Sequence, residues 1–235
     1  MKPIFGIFAH PDDEAMGPAG TLALLTQTRV VYLICVTSND VRKKELQKSA
    51  EILGIRQVFF LDFIDGDLSN NQYLPLAQQI KGILDKERPD TIITYEPRGV
   101  SGHIDHITVS MVCSYLFERL SYLKKIMFYC RKAGILRPIN YFIYFPPDYR
   151  ESEIDESFDI KSVFSKKIAA IKCHQSQSHD VLKVLAMLHL SPKKEFFLVR
   201  TKWYSKIALC NVFASCFLFP GACLVIVSYH LMFPG

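Results

Sequence analysis

Four short runs rich in β-branched and aromatic residues, Ile4–Ala9, Val30–Thr37, Gln57–Leu61 and Thr91–Tyr95, alternate with longer amphipathic stretches through the first half of the chain. The runs are apolar at nearly every position, as strands buried on both faces are, whereas the stretches between them repeat apolar residues at helical spacing. This alternation predicts βαβ units and an α/β fold: a Rossmann-like, three-layer, doubly wound sheet, mostly parallel, with strand order near 3-2-1-4-5. The helix after the second run is the clearest. Val41, Leu46, Ala50 and Leu53 lie at helical spacing, Asp40 is expected to cap its start, Gly54 to end it, and its charged face to be solvated. Beyond residue 120 the pattern predicts strands at Ile126–Cys130 and Asn140–Phe145, a proline- and acid-rich loop from Pro146 to Glu156, and a helix from Ser162 to His174.

Composition narrows the class. With 235 residues, 49% of them hydrophobic and 22% charged, the chain is too apolar for disorder and too evenly mixed for collagen or a disulfide miniprotein. A domain of this size buries roughly 70% of its unfolded surface, so it needs no metal as a staple, and any metal is expected to do chemistry. The seven cysteines are scattered without a C-x-x-C pair, and Ile4–Ala9 is too short for a signal-peptide core, so a reduced, cytoplasmic location is expected. The net charge of +5 is local: residues 1–160 hold 18 basic and 21 acidic groups, residues 161–206 hold 10 and 2. No nucleic-acid partner is expected, and the sequence carries no information on oligomeric state.

Beyond Lys206 the composition changes sharply, because the 29 residues Ile207–Gly235 contain no Asp, Glu, Lys or Arg. This predicts a domain over 1–206 and a hydrophobic tail over 207–235. The tail has the length of a transmembrane helix, which needs about 20 apolar residues. Lys202 and Lys206 at its start would leave the domain on the cytoplasmic side, with membrane contact through 207–235. The other expectation is that the tail packs as an extra core element.

In a doubly wound sheet, ligands bind beyond the carboxyl ends of the strands, where the strand order reverses. Two strand ends stand out. Ala9-His10-Pro11-Asp12-Asp13-Glu14 follows the first run, and Gly99-Val100-Ser101-Gly102-His103-Ile104-Asp105-His106 follows the fourth. Each cluster alone has a plain structural reading, as a helix cap, a packed histidine or a surface turn. Together they offer two imidazoles and a carboxylate from two loops, the donor set of a catalytic zinc site with one position left for water. Zinc in such a site lowers the pKa of bound water to about 7 and polarises a carbonyl, and a spare carboxylate takes the proton. Fe2+ or another divalent metal fits the same triad, with zinc favoured by the surplus of acid–base groups.

These two segments, together with Arg42-Lys43-Lys44-Glu45-Leu46, Leu53-Gly54-Ile55 and Cys173-His174-Gln175-Ser176-Gln177, resemble the LmbE/PIG-L family of zinc-dependent de-N-acetylases over about residues 3–200. The resemblance implies that His10, Asp13 and His106 are the metal ligands and Asp12 the general base. It implies that His103 lies near the developing oxyanion and protonates the departing amine, that Glu14 supports the ligands from behind, and that Asp105 orients one imidazole. Arg42 is expected to reach sugar hydroxyls or a phosphate, and His174 to Gln177 to back the pocket. Asp65, beside Gly66, reads as a turn residue. The implied reaction removes the N-acetyl group from an N-acetylglucosamine-containing conjugate, with zinc-activated water attacking the amide carbonyl. The implied substrate is a glycolipid such as N-acetylglucosaminyl-phosphatidylinositol, or a small glycoside. The loop Ser38-Asn39-Asp40 is shorter than the Gly-rich loop usual in the family. The competing expectation is a non-catalytic or regulatory Rossmann-like module anchored to a membrane. Against it, no G-x-G-x-x-G follows the first strand, and carboxylates there would repel a pyrophosphate.

Overall fold

The strands are β1 (Ile4–Phe8), β2 (Val31–Thr37), β3 (Gln57–Phe63), β4 (Thr91–Tyr95), β5 (Lys125–Cys130), β6 (Glu156–Asp159) and β7 (Lys194–Thr201). In the computed structural model, which describes residues 1–136 and 145–202, they form a seven-stranded sheet ordered β3-β2-β1-β4-β5-β7-β6. The first five positions repeat the expected 3-2-1-4-5 order, all parallel, with Ile4 beside both Val31 and Thr91. The last two strands are a difference. β7 runs antiparallel to both β5 and β6, and neither β6 nor β7 was anticipated. Short polar β6, Glu-Ser-Phe-Asp, lies at the sheet edge with alternating exposure, so its sequence lacks the continuous apolar run that marks a central strand.

The helices are α1 (Asp13–Met16), α2 (Ala19–Leu25), α3 (Asp40–Leu53), α4 (Tyr73–Glu87), the single turn α5 (Gly99–Gly102), α6 (Ile104–Arg119), α7 (Phe164–Lys172) and α8 (Ser178–Leu190). They cover both faces of the sheet. Along β1 the side chains alternate: Ile4 and Phe8 pack with Leu22, Leu53 and Ile171 on one face, Phe5 and Ile7 with Leu76, Ile80 and Val112 on the other. Both sets are buried, which is why β1 reads as an unbroken apolar run. Full burial of each large side chain contributes about 1.5–3 kcal/mol before entropy is counted, so the central strands are the most firmly held part of the scaffold.

Local details correct two expectations and add one helix. Asn39, not Asp40, caps α3, its side chain accepting the Arg42 amide at 3.0 Å, while Gly54 ends the helix as expected with φ of 80°. The helix expected over 162–174 is a 3-10 turn, Lys161–Val163, followed by α7, and His174 lies beyond its end. α8 was not anticipated, because its apolar residues encircle the helix rather than marking one stripe. The strand expected at Asn140–Phe145 falls almost wholly outside the described residues, as does the tail 207–235. Among the described residues, no helix is long and apolar enough to cross a membrane.

Candidate metal centre

The parallel order sets β1 against β4, so the loops that follow Phe8 and Tyr95 open into the same crevice, and this brings the two sequence clusters together. His10 Nδ1 lies 3.1 Å from His106 Nε2 and 3.6 Å from Asp13 Oδ2, and His106 Nε2 lies 3.2 Å from Asp13 Oδ1. Donors bound tetrahedrally at about 2.0–2.1 Å stand about 3.3 Å apart, and the three edges bracket that spacing. The donor types and their separations therefore fit a divalent ion with a position to spare. A second grouping, His10, Asp65, His103 and Asp105, also has donor atoms within 4.8 Å of one another. It meets the same imidazole from its Nε2 side, and its carboxylates are already engaged, Asp65 by Arg42 and Asp105 by two backbone amides.

The neighbouring groups aim the donors. His10 Nε2 is 3.0 Å from Asp105 Oδ2 and 3.1 Å from Asp65 Oδ1. His106 Nδ1 is 3.0 Å from the Gly99 carbonyl, which leaves Nε2 facing the site. Gly99 has φ of 72°, and a Cβ there would stand 3.0 Å from the His106 Cβ, so the close approach of loop and ring needs glycine. The Tyr95 hydroxyl donates to the Asp13 carbonyl at 2.8 Å and lies 3.2 Å from its Oδ1. Each imidazole thus has a partner on the nitrogen turned away from the site, the usual way ligand histidines are held in one tautomer.

Charge follows from burial and these contacts. Burial opposes protonation of His10, but hydrogen bonds to Asp105 and Asp65 outweigh it and raise its pKa to about 10. Burial also disfavours ionised Asp13, yet His106 and His10 hold it well below the usual carboxylate range. Asp12 differs from its neighbour. Burial and then the Asp13 charge push it up to about 7, with Arg42 pulling the other way. A carboxyl titrating near neutrality is suited to accepting and releasing a proton. His103 is lowered by burial and by His106; it stacks on His106 with ring centroids 5.0 Å apart, and its Nδ1 accepts the Asp105 amide.

The other expected residues also reach the crevice. Glu14, almost fully buried within α1, accepts from Ser49 Oγ at 2.6 Å and pairs with His174 Nε2 at 2.9 Å. Arg42 is not a solvated helix charge: it turns inward, donating to the Pro11 carbonyl at 2.7 Å and Asp65 at 2.8 Å, with Asp12 Oδ2 at 3.4 Å. Asp65 is more than the turn residue it resembled, because it bridges His10 and Arg42. Tyr95 was not singled out, since as the last residue of an apolar strand it looks like core. The signal that finds both is position at a strand's carboxyl end.

A cavity of about 400 Å³ runs from this cluster toward Met187 and Leu188 of α8, past Lys167 and Glu195. Those two form a buried ion pair at 2.6 Å, and Glu195 also accepts the amides of Gly20 and Thr21. It ties β7 to the segment just after α1, so the antiparallel extension of the sheet steadies the site.

The family model described as PIG-L, GlcNAc-PI de-N-acetylase, matches residues 6–116, which contain both clusters. A probable N-acetyl-alpha-D-glucosaminyl L-malate deacetylase 2 of Bacillus cereus is 28% identical over 200 residues, 75% of this chain and 84% of that protein. Among solved structures, the N,N'-diacetylchitobiose deacetylase of Pyrococcus horikoshii superposes with a TM-score of 0.62 at 20% identity, covering 95% of this chain and 89% of that one. The 4-carboxy-2-hydroxymuconate hydratase of Pseudomonas putida has a TM-score of 0.59 at 16% identity, covering 88% and 99%. At such identities the likeness is one of fold, and the fold by itself does not choose the reaction.

Proposed function

We propose that this chain is a member of the PIG-L (LmbE-like) family, an amide-hydrolysing enzyme that removes the N-acetyl group of an N-acetylglucosamine-containing conjugate. The observation that carries the reading is the convergence of His10 Nδ1, His106 Nε2 and the two oxygens of the Asp13 carboxylate, at separations of 3.1 to 3.6 Å, beside the separate carboxyl of Asp12. His10, Asp13 and His106 are the residues that would hold the ion. A divalent cation there, Zn2+ or another such as Fe2+, supplies Lewis acidity to the acetamide carbonyl and to water.

The chain's own groups do the rest. Asp12 takes the proton of the attacking water as the carbon–oxygen bond forms. His103, at the cavity wall, hands a proton to the amine nitrogen as the carbon–nitrogen bond breaks, so that acetate and a free amino sugar leave. Glu14 and Asp105 hold these groups in place, and Arg42, with Asp65, is positioned to meet sugar hydroxyls or a phosphate at the rim. The conjugate is proposed within the range the relatives' names span, from GlcNAc-phosphatidylinositol to GlcNAc-malate and diacetylchitobiose.

The test is acetate release from a panel of such conjugates, with and without chelator. Hydrolysis that stops on metal removal and returns on adding the ion supports the reading, while activity surviving complete metal removal refutes it. We further propose that 207–235 is a tail distinct from the catalytic unit and anchors it to membranes. Truncation after Lys206 is then expected to abolish sedimentation with membranes while leaving turnover of a soluble conjugate unchanged.

A further inference from the structure

The Pro11–Asp12 peptide is held at both of its polar ends. Arg42 Nη2 donates to the Pro11 carbonyl at 2.7 Å, and the Asp12 amide donates to Glu14 Oε2 at 3.1 Å. Because the peptide unit is planar, these two bonds together resist its rotation. They hold a conformation that needs holding: Asp12 has φ of 118° and ψ of -23°, a region that residues with a side chain rarely adopt. Such strain persists only where the surroundings over-determine it, and here it aims the carboxyl assigned above as the general base.

The far side of Glu14 is built with equal care. Its Oε1 accepts the Ser49 hydroxyl at 2.6 Å and meets His174 Nε2 at 2.9 Å. His174 is wholly buried, and its Nδ1 has no hydrogen-bond partner among the described residues. Burying a ring nitrogen without a partner is unfavourable, so an apolar residue of similar volume would suit that place better if packing were the only requirement. The ring's remaining polar contact is the one with Glu14. His174 comes from the segment after α7, 160 positions along the chain from Glu14, so it joins two distant parts of the fold at this carboxylate.

We infer that His174 is a positioning residue for the proposed reaction: by holding Glu14 against the Pro11–Asp12 peptide, it fixes the strained turn that directs the Asp12 carboxyl into the cavity. This rests on the reading of Asp12 as the general base. His174 touches neither substrate nor ion, and its effect passes through Glu14 and one peptide bond. Removing it leaves the three proposed metal ligands in place and lets the Asp12 turn relax.

The test compares His174→Leu with His174→Gln, whose amide nitrogen reaches about as far as Nε2. His174→Leu is expected to lower kcat at least about tenfold with KM and metal stoichiometry within about twofold of the parent, and His174→Gln to restore at least about half of kcat. In an Asp12→Asn background His174→Leu should add no further loss, because residues acting through one group are not additive. Hydrogen exchange at the Asp12 amide should quicken at least about tenfold in His174→Leu and stay at the parent rate in His174→Gln. That readout needs no turnover, so it judges the inference even if none of the conjugates is hydrolysed. Unchanged Asp12 exchange, a loss carried by KM or metal content, or an equal proportional loss in both backgrounds would overturn it. Should His174→Leu fail to fold, Ser49→Ala removes the other side-chain donor to Glu14 Oε1, and the same three readouts decide with smaller expected changes.

Discussion

His10 and Asp105 meet at 3.0 Å, Nε2 to Oδ2, across 95 residues of chain, and this contact decides which nitrogen of His10 faces the cavity. With Nε2 committed to Asp105, Nδ1 is left toward His106 and Asp13. Asp105 is itself fixed by the amides of Gly66 and Leu68, at 2.8 and 3.3 Å, so the loop after β3 also helps to orient the ring.

Asp105→Ala is therefore expected to weaken metal affinity about 10–100-fold, the usual cost of removing a carboxylate behind a ligand histidine. Competition against a chelator of known affinity measures it. Affinity equal to the parent's would show that Asp105 does not orient His10.

Asp12→Asn keeps the size of the side chain and removes its ability to accept a proton. Metal stoichiometry should be unchanged while kcat falls by about 10²–10⁴-fold. Elemental analysis and acetate release on the same sample separate the two effects, and a fully active, metal-loaded variant would refute the general-base role.

Metal uptake should depend on pH through His10. Its pKa is raised to about 10 by Asp105 and Asp65 against the effect of burial, so in the metal-free protein the ring carries a proton throughout the neutral range. An ion must displace that proton, so affinity rises with pH up to that value. Titrations from pH 6 to 9 should tighten steadily and release protons, and an affinity flat over that range would show that Asp105 and Asp65 do not keep the metal-free His10 protonated there.

Lys167 and Glu195 form an almost fully buried pair, and Lys167 Nζ also donates to the Gly17 carbonyl at 2.5 Å. Lys167→Met strands the Glu195 charge and should cost about 3–5 kcal/mol in denaturant unfolding. Adding Glu195→Gln to it should recover part of the loss, because no buried charge then lacks a partner. A Lys167→Met protein as stable as the parent would mean that Glu195 is neutral or hydrated.

Much of this protein is legible along the chain because the signals are local. An unbroken apolar run needs only its own residues to announce a strand buried on both faces, and four such runs separated by helices leave few ways to order a parallel sheet. The kinds of metal donor were equally plain at the ends of β1 and β4. Polar edge strand β6, the all-round apolar α8 and the antiparallel β7 were not, since each depends on neighbours distant in sequence. Only the tertiary structure decided which nitrogen of His10 faces the cavity, that Arg42 turns inward, that Asp65 and Tyr95 belong to the site, and that His174 meets Glu14. The physical reason is that a side chain's direction and protonation are set by partners folded against it, and here those partners lie tens to more than a hundred residues away.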